Sequence, residues 1–289
     1  MLVTLKDLLT KAEEGNYAVG AFNSPTLESA RAAVEAAEEL QVPIILSHAE
    51  VHFEITPIEI MGPILVNLAK AASIPVAVHL DHGSSLESVK NAINQGFSSV
   101  MIDASHMSYE DNIKTVKEVV AYAKEFNVSV EAELGMMTSS GIGGEEVAGS
   151  EHLDKDISDY YTDPKIAKDF VERTKIDCLA ASFGTVHGLY TTTPKLDFER
   201  LNEIYESIQR PVVMHGGSGL SDEDYIRVIN SGVRKINYYS YSAKAGAEAI
   251  KAYIERESNI FYQDLAVVAK NAIKEDLKRA MKIFANGSK

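Results

Sequence analysis

Short apolar or β-branched runs recur along the chain at 17–22, 43–47, 75–80, 98–102, 128–134, 177–182, 211–215 and 233–237. Runs of this length that stay apolar on both parities fit parallel strands buried on both faces. Between them lie segments with helical period, among them 26–40 (TLESARAAVEAAEEL), 109–126 and 197–208. Eight strands alternating with helices predict a closed (β/α)8 barrel of the TIM type, and an open doubly wound sheet is the alternative. Helix entries are marked by Thr26 with Glu28 and Ser29, and by Ser221 followed by three acids, where the helix dipole favours negative charge. Helix-like segments 4–14 and 263–284 flank the repeat. The first is expected to plug the barrel floor and the second to lie outside. No composition shift or linker divides the chain, so 1–289 reads as one barrel domain with added N- and C-terminal helices.

The stretch 135–163 breaks the rhythm with five glycines and no clear period. A loop of this length after strand 5 predicts a functional lid on the catalytic face.

Composition narrows the partners. A net charge of −14 leaves no basic stripe for nucleic acid, although helix-start amides can hold a phosphate without cations. Lys6 and Asp7 interrupt the first apolar stretch, so no signal peptide is expected. No apolar run approaches the roughly 18 residues of a membrane span. Cys178 is the only cysteine, which excludes an internal disulfide and fits a reducing compartment. A cytoplasmic location follows by elimination.

Polar residues collect at the predicted strand ends, which form the catalytic face of a barrel. They are Asn23, Ser47, Asp81-His82-Gly83, Asp103, Glu133, Ser182 with His187-Gly188, His215-Gly216-Gly217-Ser218-Gly219 and Asn237. Three rim histidines, His82, His187 and His215, supply the neutral imidazoles of a catalytic zinc site with an open position. The glycine runs after strands 6 and 7 offer open amides for phosphate.

Along nearly its whole length the chain resembles the class II, metal-dependent fructose-bisphosphate and tagatose-bisphosphate aldolases. The segments AFNSPTLESARAAVEAAEE, PVAVHLDHG, GFSSVMIDASHMSYEDNI, VSVEAELG, GGEE, FGTVHGLY, LDFERL, VVMHGGSG and VRKIN carry the likeness. The resemblance implies Zn2+ held by His82, His187 and His215, with Asp103 and Glu133 lining an alternative metal position or supporting the ligands. It implies Asp81 as general acid/base and Glu146 of GGEE as the group exchanging the proton at the nucleophilic carbon. Gly188, Gly216, Ser218 and Asn237 match phosphate-binding positions, often with Na+ or K+ nearby, and Asn23 and Ser47 match further substrate contacts. A homodimer or homotetramer acting on a small sugar phosphate is implied, with no nucleic acid or membrane partner.

The implied reaction is reversible cleavage of a ketose 1-phosphate or 1,6-bisphosphate, by default fructose 1,6-bisphosphate, to dihydroxyacetone phosphate and an aldehyde such as glyceraldehyde 3-phosphate. Two departures bear on the substrate. Tyr238-Tyr239-Ser240 follows Asn237 where the family has a small pair and Thr, although Ser240 still offers a hydroxyl. The family's usual cations for the far phosphate have no evident counterpart in 243–244 or 259–263. Tagatose 1,6-bisphosphate and a ketose 1-phosphate therefore remain open. So do a Schiff-base aldolase using Lys235, the lysine lying on a predicted strand, and a non-catalytic sugar-phosphate sensor.

Overall fold

A computed structural model describes residues 1–135, 160–190 and 194–287. Eight strands close on themselves in sequence order. They are β1 (Val19–Asn23), β2 (Ile44–Ala49), β3 (Val76–Gly83), β4 (Ser99–Ile102), β5 (Ser129–Leu134), β6 (Cys178–Ala181), β7 (Val212–Met214) and β8 (Val233–Tyr238). Every pairing is parallel, and β8 closes on β1 with Val19 opposite Lys235 and Ala21 opposite Asn237. The expected barrel is thus the observed one. Its strands read as apolar runs because one face packs on the outer helices while the other fills the interior.

The described helices are α1 (Leu5–Gly15), α2 (Leu27–Leu40), α3 (Ile58–Ala71), α4 (Leu86–Asn94), α5 (Tyr109–Glu125), α6 (Pro164–Thr174), α7 (Phe198–Ile208), α8 (Asp222–Asn230), α9 (Ser240–Arg256) and α10 (Tyr262–Phe284). A short 3-10 turn, Glu50–Glu54, extends the end of β2. Among the described residues no helix is long and apolar enough to cross a membrane.

The anticipated entry signals operate. Thr26 accepts the backbone N–H of Ser29 in a reciprocal capping box, and Ser221 accepts that of Asp224. A second capping box, Thr4 with Asp7, starts α1. The apolar face of α1 then enters the barrel floor: Leu5, Leu8, Leu9 and Ala12 join Val19, Ala21, Ile45, Ala77 and Met101 in one buried cluster. Burying four such side chains supplies the floor with roughly 1.5–3 kcal/mol for each leucine. α10 packs outside, on α2 and α9, and the Tyr238 hydroxyl at the end of β8 donates to Asp276 of α10 at 2.9 Å. Tyr238 therefore faces outward, with its ring edge-on to Phe22 and Phe284, and does not border the strand-end mouth as the sequence departure suggested.

Candidate active site

Side chains alternate along a strand, so every second residue points into the barrel. In β3 the inward parity carries Ala77, His79 and Asp81; in β5 it carries Glu131 and Glu133; in β8 it carries Lys235 and Asn237. Two polar layers result. The upper one joins Asn23, Asp81, Glu133, His215 and Asn237, with Asp103 just past β4, and the lower one joins His79, Glu131 and Lys235.

His82 is out of phase with this alternation. Leu80 pairs with Val100 while Gly83 pairs with Ile102, so β3 contains one residue more than its partner. This bulge places His82 in the left-handed region, φ 48°, a conformation a residue with a side chain keeps only when its surroundings enforce it. Gly83 completes the turn because a Cβ there would meet the Met101 carbonyl oxygen at 2.6 Å. The outcome is that Asp81 and His82, neighbours in sequence, both reach the same space.

Asp81 is fully buried and accepts from the amides of Asn23, at 2.9 Å, and Asn237, at 3.0 Å. Burial alone would raise its carboxyl, but His82, His215 and Lys235 nearby hold it well below the usual carboxylate range. His82 Nδ1 lies 2.9 Å from Asp103, and its Nε2 lies 2.9 Å from His215 Nδ1. Burial opposes a charge on His82, yet Asp81 and Asp103 together lift it to about 10. His187 is held neutral by burial and by the other two rings, its value falling well below the ordinary one. Among the described residues, neither of its buried ring nitrogens has a hydrogen-bonding partner.

The structure therefore brings together the predicted trio His82, His187 and His215, with one donor atom from each within 4.8 Å of the others. A second set, His82, Asp103 and Glu133, satisfies the same limit. Unpartnered buried nitrogens on His187 and a close His82–His215 pair fit a divalent cation, which would displace the proton now shared between the rings. Burial, reinforced by Asp103, pushes the Glu133 carboxyl well above its usual range, and its Oε2 has no hydrogen-bond donor among the described residues. That too is what a group awaiting a cation looks like.

Around this centre, Ser47 at the end of β2 is buried, and its hydroxyl has no hydrogen-bond partner among the described residues. Gly216 and Gly188 hold left-handed backbones, φ 62° and 90°, and Ser218 accepts from the Tyr239 N–H at 2.8 Å. A Cβ on Gly216 would lie 2.3 Å from the Val186 carbonyl oxygen, so the β7 loop can lie this close only as glycine. Ser240 opens α9, whose start has no side-chain cap hydrogen bond among the described residues, and a helix start is a place where backbone amides can meet an anion. Glu146 lies outside the described residues.

Three further residues take places at the site that the sequence reading did not give them; of these, Lys235 entered it only as a Schiff-base candidate. Glu131 sits among His79, His215 and Lys235 with no exposure. Its signal was its position two residues before Glu133, on the same strand face. Lys235 is ion-paired there, with Nζ 2.8 Å from Glu131. His52, on the turn after β2, packs its ring 4.8 Å from that of Tyr239 and is buried. Its strand's Ala49 is registered on Asp81, so the pair flanks the Asp81 side of the mouth.

A parallel barrel with imidazoles and carboxylates gathered at its strand ends belongs to a class: barrel enzymes able to hold a catalytic divalent cation. The family model for class-II fructose-bisphosphate aldolases matches residues 3–289, and the chain belongs to that family, whose members are metal-dependent carbon–carbon lyases. A fructose-bisphosphate aldolase of Staphylococcus aureus is 39% identical over 296 residues, covering 100% of this chain and 99% of its own. Among solved structures, the YdjI aldolase of Escherichia coli K12 superposes with a TM-score of 0.86 at 33% identity, covering 99% of both chains. A fructose-1,6-bisphosphate aldolase homologue of Coccidioides immitis gives 0.86 at 28% identity, over 98% of this chain and 96% of its own.

Proposed function

We propose that this aldolase cleaves a ketose 1-phosphate or 1,6-bisphosphate with a zinc ion held by His82, His187 and His215. The observation that carries this reading is the convergence of these three imidazoles beside a buried, ionised Asp81. Zinc when bound supplies a Lewis acid for the substrate carbonyl, worth several kcal/mol of charge stabilisation. Asp81 takes the proton of the C4 hydroxyl, held for that task by the Asn23 and Asn237 amides. The C3–C4 bond then breaks, the C4 fragment leaves as an aldehyde, and the electron pair remains on the dihydroxyacetone phosphate half. Glu146 returns a proton to C3, completing that product. Gly188, Gly216, Ser218, Asn237 and Ser240 bind its phosphate, with a Na+ or K+ ion nearby, while Asn23 and Ser47 orient hydroxyls. Asp103 holds His82 through Nδ1, and Glu133 offers the cation an alternative ligand.

Fructose 1,6-bisphosphate is the default substrate. One observation favours a substrate without the second phosphate. Lys244 and Arg256, the cations nearest in sequence to the family's usual ones, are exposed and engaged with Glu248 and Glu257 on or beside α9. A buried phosphate without a cation is costly. Chelator should abolish cleavage and added zinc restore it. Full activity in metal-free protein, or borohydride trapping of substrate on Lys235, would refute the reading.

A further inference from the structure

Beneath the candidate metal site lies a buried charge pair that the proposed chemistry does not use. Glu131, Lys235 and His215 all have side chains with no exposure. We infer that Glu131, with Lys235 as its counter-ion, is a positioning residue that fixes which nitrogen of His215 faces the cation. The inference rests on the zinc reading above.

His215 Nε2 lies 2.8 Å from Glu131 Oε1. A carboxylate only accepts, so Nε2 carries the hydrogen and the lone pair of the neutral ring stands on Nδ1. Nδ1 is the nitrogen 2.9 Å from His82 Nε2, and the Asn237 amide approaches it at 3.4 Å, consistent with an acceptor there. A ring turned over, or holding its proton on Nδ1, would present the cation with a hydrogen instead of a lone pair.

Glu131 could not do this alone. An unpaired carboxylate in the barrel interior is prohibitively costly. Lys235 Nζ lies 2.8 Å from one of its oxygens and 3.1 Å from the other, leaving Oε1 able to accept from His215 as well. The remaining neighbours add less: His79 Nε2 is 3.6 Å away, beyond hydrogen-bonding distance, and Cys178 is a weak donor at 3.7 Å. Lys235 therefore serves as a fixed charge below the site. Carboxylates that orient a metal-ligating imidazole in this way are worth about 10–100-fold in metal affinity.

Two measurements test this. In metal-free wild-type protein, 15N NMR of labelled histidine, assigned against His215→Gln, should show His215 protonated on Nε2. Protonation on Nδ1 would overturn the inference whatever any variant does. The second measurement is zinc affinity by competition with a chelating dye. Glu131→Met combined with Lys235→Met replaces the pair by apolar side chains of similar volume and strands no charge. The double variant should bind zinc about 10–100-fold more weakly than wild type. Without metal it should be at least as stable to heat as Lys235→Met alone, which leaves Glu131 unpaired. Zinc affinity within about 3-fold of wild type in the folded double variant would reduce the pair to a structural one and overturn the proposal. Wild-type protein that binds no zinc would instead bring down the zinc reading itself, and the two failures are thus distinguishable.

Discussion

Replacing Asp81 by Asn separates the proposed base from the scaffold around it. The two groups are nearly equal in size, so no cavity opens. The wild-type carboxylate satisfies two buried amide donors, one on each oxygen. An Asn has a single oxygen, so one of the Asn23 and Asn237 amides would face another N–H. That mismatch costs about 1–3 kcal/mol, against a domain stability of roughly 5–15 kcal/mol. The variant should therefore fold. Its zinc should remain, because Asp81 is not among the proposed ligands, although His82 loses a neighbouring negative charge. Cleavage should fall by about 10²–10⁴-fold, the range for losing a general base, or roughly 3–5 kcal/mol of transition-state free energy. Bound zinc, thermal midpoint and kcat of fructose 1,6-bisphosphate cleavage, coupled to triose phosphate detection, would be measured on the same preparation. A folded, zinc-loaded variant that retains more than about a tenth of wild-type kcat refutes the assignment. Loss of zinc together with activity would make Asp81 a ligand or a structural residue instead.

Further outcomes are expected. Glu146→Ala should slow deuterium incorporation from solvent at the nucleophilic carbon of dihydroxyacetone phosphate more than it weakens binding; unchanged exchange would remove Glu146 from that role. Removing the C6 phosphate from fructose 1,6-bisphosphate should cost kcat/KM less than about 10³-fold, and a loss beyond roughly 4 kcal/mol would reveal a dedicated second phosphate site. Burial, with His48 beside it, lowers His52 from 6.5 to about 4. Unfolded protein thus binds more protons than folded between those values, so the stability from a neutral His52 is complete above pH 6.5 and lost as pH falls toward 4. The pH-dependent loss is on the order of 3 kcal/mol. Urea unfolding of His52→Phe, which keeps a ring against Tyr239, should show a shallower loss over that window, and identical pH slopes in the two proteins would contradict it.

Much of this was legible in the chain. Parallel strands covered on both sides have to be apolar, which is why the apolar runs and the β1–β8 spans agree to within two residues at nearly every end. The end of β3 is the exception: the run stops at Leu80 but pairing continues to Gly83, because polar residues can extend a strand where they point into an active-site mouth. Helix α9 left little signal, since Tyr239 is not one of the usual capping residues and small residues recur along the helix. Glu131, and the pairing of Lys235 with it, were obscured because each interrupts an apolar run once. Only their parity with Glu133 and Asn237 marks them as interior, and only closure of the barrel brings β5 and β8 within reach of one another. The trio of histidines was easier, since strand ends are where a barrel must put its chemistry.

The bulge in β3 sets a limit on how this site can be transplanted. On a regular strand two side chains facing the same way need an intervening residue, about 6–7 Å further along the chain. Here the proposed base and the proposed metal ligand, Asp81 and His82, are consecutive, and what allows it is a mismatch in pairing with β4 that belongs to neither residue. The dipeptide Asp-His copied to the end of another barrel strand would send one side chain inward and the other toward the helices. The smallest portable unit is therefore a strand pair: Leu80 to Gly83 together with the shorter partner segment Val100 to Ile102. A one-residue deletion in the first, or a one-residue insertion in the second, would restore ideal sheet geometry and in doing so dismantle the centre.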